Sequence, residues 1–172
     1  MPSAGFCQQM ILLTPLQKSL NESSGLIELN QKLITHNDSG GKSILYEFDT
    51  TSGAVTREVF VENTENVDWE DLCHDDTFIY FADIGNNDGS RTDLKIYRIA
   101  ISDYFLTPND TVTADEILFS YSDQTDYSNH LYSTNYDAEA IISYDDSLYI
   151  FTKNWKNNWT NIYALAKIPG NY

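Results

Sequence analysis

DWEDLCHDDTFIYFADIGNNDGSRTDLKIYRIA, residues 68–100, reads as an acidic lead, a short apolar strand, a turn, a second apolar strand, a polar loop and a third strand carrying a tyrosine. The same order recurs in ESSGLIELNQKLITHNDSGGKSILYEFD (22–49) and in DAEAIISYDDSLYIFTKNWKNNWTNIYALA (137–166). The matching tyrosines, Tyr46, Tyr97 and Tyr163, follow one another at 51 and 66 residues. A strand-and-turn unit repeating near this period predicts an all-β fold built as β-propeller blades. About three four-stranded blades are expected.

The units divide the chain into a lead-in (1–21), blade one (22–63), blade two (64–121) and an incomplete blade three (137–172). Strands are expected near 24–29, 31–36, 43–49 and 54–62 in the first unit. The second has them near 70–74, 77–83, 94–101 and 115–121, and the third near 138–144, 147–153 and 161–168. Asn30, the TTSG at 50–53, the HDDT at 74–77 and Asp145-Asp146 supply the turns, with residue types that tolerate left-handed backbone. ISDYF (101–105) suggests one helical turn, and Met10 to Leu13 could add a strand to another blade. A ring needs about 4–8 blades. The third unit lacks a fourth strand, so the chain reads as the N-terminal part of a larger propeller, with open edges prone to self-association.

Charge excludes some partners. Lys and Arg number 10 against 26 Asp and Glu, a formal net charge of −16. Nucleic acid and anionic membrane both need basic patches, so neither is expected. No apolar run approaches the ~20 residues of a membrane span, and the N-terminus lacks the basic and apolar regions of an intact signal peptide. Aromatics at 13% argue against a disordered acidic chain. Of the two cysteines, Cys73 falls in a core-facing run and reads as a buried thiol; no zinc spacing occurs.

Antiparallel pairing places the start of a blade's first strand beside the end of its second. Asp68, Glu70 and Asp71 should therefore lie with Asp83, Asn86 and Asn87; Asp137 and Glu139 with Lys153 and Asn154; Glu22 and Ser24 with Asn37 and Asp38. One mouth of a central channel would be ringed by carboxylates and amides. Such an oxygen-rich set suits calcium. Glu70, Asp83 and Glu139 are the leading ligands, with Asp68, Asp71, Asp137 and Asn86 as auxiliaries. The competing reading is a clasp in which these acids accept backbone amides of a neighbouring blade, with no metal. Trp69, Trp155 and Trp159 either stack on a ligand at the rim or pack between blades. His36, His74 and His130 form no catalytic pairing in sequence.

VDWEDL, FADIGNN, LKIYRI, YDAEAI and LYIFTKNW, preceded by LITHNDSG and LYEFDTTSG, resemble secreted bacterial β-propeller proteins that often carry a sorting domain for type IX secretion. The resemblance spans roughly residues 20–172. It implies a complete propeller in the parent protein and an extracellular or cell-surface location. A more distant similarity, through the D-x-E at 68–70 and 137–139, is to phytase- and esterase-like propellers with calcium at acidic mouths. The expected role is a binding or scaffold module for a glycan or protein; the alternative is a metal-assisted hydrolase acting on a phosphoester, ester or glycoside.

Overall fold

Asn30 and Gln31 both adopt positive φ, 51° and 64°, and reverse the chain within two residues. This is the tight hairpin geometry that matches strand twist. It joins β1 (Ser23–Leu29) to β2 (Lys32–Asn37), and β3 (Ile44–Phe48) and β4 (Val55–Val61) follow in the same antiparallel sheet. The computed structural model describes residues 10–172.

The second sheet contains β5 (Trp69–His74), β6 (Phe78–Asp83), β7 (Lys95–Ala100) and β9 (Asp115–Leu118), all antiparallel. The third contains β10 (Ala138–Tyr144), β11 (Ser147–Thr152) and β12 (Ile162–Ala166). The described residues are thus all-β, in three sheets that close no barrel. The expected strands are present, with ends shifted by a few residues. ISDYF begins the short helix α1 (Ile101–Leu106). Met10–Leu13 forms no strand; this apolar run is exposed.

The outer edges differ from expectation. Between β7 and β9 the chain crosses back, and β8 (Thr111–Val112) pairs in parallel with β4 of the first sheet. After β12 it does so again, and β13 (Gly170–Asn171) pairs in parallel with β9 of the second sheet. An unpaired edge invites further strand pairing, and these short strands cover two of the three outer edges. An arginine of the preceding sheet fastens each return. Arg57 donates to the Tyr104 carbonyl at 2.9 Å, and Arg98 to the Lys167 carbonyl at 2.9 Å.

Two apolar layers hold the sheets together. Ile27, Ile34, Leu45 and Val59 of the first sheet pack against Leu72, Phe81 and Tyr97 of the second. On the second sheet's other face, Cys73, Tyr80, Ala82 and Ile96 meet Ile141, Leu148, Ile150 and Leu165 of the third. Cys73 is a buried free thiol, and burial pushes its pKa up to about 12; Cys7 lies outside the described residues. The first strands lie next to one another, with β5 between β1 and β10. Gly25 permits that approach. A Cβ there would stand 2.5 Å from the Leu72 side chain and 2.7 Å from the Leu72 amide nitrogen, so β1 could not sit as close to β5 with any larger residue.

Candidate metal centre

All three first hairpins are irregular at the same place. Register shifts fall between Ser23 and Leu26, between Trp69 and Asp71, and between Ala138 and Ala140. The extra residue is Glu70 in the second sheet and Glu139 in the third. A bulge bends its strand and re-aims the extra side chain, and both glutamates gain their direction from it.

The carboxylates of Glu70, Asp137 and Glu139 lie within 4.8 Å of one another, and so do those of Asp38, Asp68 and Glu70. Glu70 belongs to both groups. Five acids from three sheets therefore meet at one end of the inner strands. Asp38 was not among the acids singled out from the D-x-E pattern, because it follows a second strand and does not precede a first. The antiparallel argument had nonetheless put it at this end. Asn66 fixes its place: buried, it donates to the carbonyls of Asn37 and Asp38 at 3.1 and 2.7 Å, and its Oδ1 accepts the Trp69 amide at 3.1 Å. One amide thus ties the Asp38 turn to the strand that carries Glu70, and nothing in its sequence context announced that role.

The five differ in how they are satisfied. Asp137 is fully buried and accepts the Asn86 amide and the Trp155 indole N–H, both at 2.7 Å. Glu139 accepts Lys153 Nζ at 2.6 Å. Asp38 accepts the Ser39 amide at 2.6 Å. The carboxylates of Asp68 and Glu70 accept no hydrogen bond from any described residue, although Glu70 is only 9% exposed. Burial, then the charges of Glu139, Asp68, Asp38 and Asp137, push Glu70 up to about 9. Burial, with Asp38 as the next contributor, pushes Asp68 up to about 6. Gly85 keeps room for both: a Cβ there would overlap the Asp68 and Glu70 carboxylate oxygens.

The remaining candidates stand apart from these groups. Asp83, fully buried, accepts Arg91 Nη1 at 2.8 Å and the Asp68 amide at 3.0 Å through Oδ1. Asn86 accepts the Arg91 amide at 3.0 Å and donates to the Tyr136 carbonyl at 3.1 Å. Asp71 accepts the Ile141 amide of the third sheet at 2.9 Å. Asp71 and Asn86 reach the third sheet and the segment leading into it, while Asp83 ties the Arg91 loop to the start of β5 within the second sheet.

The tryptophans separate as well. Trp69 is core, packed on Phe81 and Tyr97 with the buried His36 ring at its edge. Trp159 is 74% exposed. With Trp155, Lys153 and Glu139 it lines a cavity of about 540 Å3 next to the acids. Lys153 stands 4.4 Å from the Trp155 ring centre. His130 pairs with Asp126 at the surface, and His74 with the Asp75 carbonyl; no histidine belongs to either acid group.

No protein-family model matches the chain, and no curated protein matches it.

Proposed function

We propose that the chain is a β-propeller-type binding scaffold, its three sheets being successive blades, in which a calcium ion at the inner-strand ends pins neighbouring blades together. Glu70 carries this reading. It is a largely buried residue whose carboxylate accepts no hydrogen bond from a described residue and has four acids around it, and such a group favours a proton or a cation. The donors are all oxygen, with no thiol or imidazole in either group, and that chemistry suits a hard cation. Glu70 is the shared ligand, with Asp38 and Asp68 on one side and Asp137 and Glu139 on the other, and calcium's remaining positions fall to water.

The scaffold works outside the cell, as the resemblance to secreted bacterial propellers suggests. Its ligand is a glycan or a protein, held over the Trp155–Trp159 cavity. A flat exposed indole beside amide and carboxylate groups offers a stacking surface with hydrogen bonds at its rim. The decisive experiment is a melting curve with calcium, magnesium, zinc and chelator. A ligand that binds only the native state stabilises it by about 2.7 kcal/mol at a hundred times its Kd. Calcium should raise the melting temperature and chelator should lower it. Identical curves would end the metal reading.

One observation favours a second reading. Glu70, held protonated near neutral pH, lies beside the lysine-paired Glu139, and a proton donor next to an ionised carboxylate is the pairing of an acid–base hydrolase. That enzyme would turn over a phosphoester, ester or glycoside, and Glu70→Gln would abolish turnover. A binding scaffold turns over nothing in such a panel.

A further inference from the structure

Register aligns the three sheets residue by residue. The pairs Ile27–Ile34, Cys73–Tyr80 and Ile142–Tyr149 are equivalent, and so are Leu26, Leu72 and Ile141 one position earlier on the opposite face. The first sheet's Ile27 face is covered by the second sheet's Leu72 face. The second sheet's Cys73 face is covered by the third sheet's Ile141 face. Two faces of the same kinds are left over. Ile142 is 47% exposed where Ile27 and Cys73 are 8% and 9%. Leu26 is 55% exposed where Leu72 and Ile141 are 3% and 2%. On the bare third face Phe151 pairs with Ile162 beside Tyr149, and Ile162 is 62% exposed.

We propose that the bare Ile142 face of the third sheet seats the Leu26 face of the first sheet from a second copy of this chain. The two internal layers show which face fits which, and a second copy supplies the missing one by continuing the same packing. The contact is heterologous, because two different surfaces meet. The same repeat places the polar end of the contact. At the first internal seam Ser24 Oγ donates to the Glu70 carbonyl at 2.7 Å. The second copy's equivalent of that loop arrives beside Glu139, so its Glu22 and Ser24 join the acidic end. Leu20 covers the outer part of the first sheet's face by packing on Ile44 and Tyr46, so the contact uses the inner part around Leu26.

Ile142→Glu and Leu26→Glu test this on the whole chain, by ultracentrifugation and light scattering up to about 100 μM, where a contact of ~1 μM Kd is nearly saturated. The wild-type chain should associate, and each variant alone should be monomeric. An equimolar mixture of the two should form a one-to-one complex, because each supplies the face the other lacks. A monomeric wild type overturns the proposal. So does association that only Ile142→Glu disrupts, since that is a face meeting its own kind, and so does a mixture that fails to recombine. Both positions are exposed, and melting curves check the fold; Ile142→Ser and Leu26→Ser ask the same question if glutamate perturbs it. The inference rests on the repeat of the sheets and not on calcium: association that persists in chelator leaves it standing where the metal reading fails.

Discussion

Glu70 and Glu139 are the same residue of successive sheets, each the extra residue in a bulge at the head of a first strand, and their carboxylates come within 4.8 Å. Like charges that close destabilise a fold unless something neutralises them. Replacing Glu70 by its neutral isostere should remove the cost of holding this carboxyl protonated in the fold and remove a ligand together. Glu70→Gln is expected to melt a few degrees above wild type in chelator, since about 1 kcal/mol shifts a domain of this size by roughly 2–4 °C. In calcium it should lose the wild-type shift. Calorimetry in both buffers checks the pair of outcomes.

Asp71 makes the contrasting case. Its carboxylate holds the Ile141 amide across the seam and belongs to neither acid group. Asp71→Ala should cost about 1–3 kcal/mol by leaving a buried amide unpaired. The calcium-dependent shift should persist. Urea denaturation with and without calcium separates the clasp from the ligands.

Gly85 has no side chain because two carboxylates occupy that space. Gly85→Ala should push Asp68 and Glu70 aside, destabilise the fold by about 1–3 kcal/mol and weaken calcium binding. Isothermal titration on the variant measures the second effect, and an unchanged affinity would contradict the assigned ligand set.

Asp75 tests the outer turn through pH. Burial raises its pKa, but the Thr77 and Phe78 amides, the Lys167 ammonium and the Tyr80 hydroxyl outweigh burial and hold it at about 2, below its ordinary 3.8. A depressed carboxyl stabilises the fold above its unfolded pKa, and that contribution is lost as pH falls through the folded one. Wild type should lose stability between pH 4 and 2. Asp75→Asn should lack that component and be weaker by about 1–2 kcal/mol at neutral pH. Denaturation midpoints across this range give the comparison.

Arg57 joins β4 to the returning segment. It reaches Glu47, which is 4% exposed, at 3.2 Å, and Asp110 at 2.6 Å, besides the Tyr104 carbonyl. Arg57→Met should cost about 2–4 kcal/mol, because Glu47 would keep a buried charge with a poorer partner. The β8 strand should then become the first part of the first sheet to lose amide protection, read by hydrogen exchange.

Much of this was legible locally. Alternating and apolar runs marked the strands, and Asn30, Gly53 and Asp145 sit at turns with positive φ because their neighbours demanded reversal there. The short parallel strands β8 and β13 were not legible. Two residues have no period, and their partners lie about fifty residues away. Asn66 was equally silent, since a bridging amide has no sequence signature beyond its type.

Strand order, the turns and the end of each hairpin at which its acids lie follow from residue type and antiparallel geometry, and those are properties of contiguous segments. Which acids meet is a matter of packing. Glu70 meets Asp38 and Asp68 on one side and Asp137 and Glu139 on the other, where β5 lies between β1 and β10 and Gly25 lets β1 close on β5. Asp83 sits in the same neighbourhood but is claimed by Arg91. A one-residue bulge decides where each glutamate points, and that displacement is set by three-dimensional fit between neighbouring sheets and not by the order of the chain.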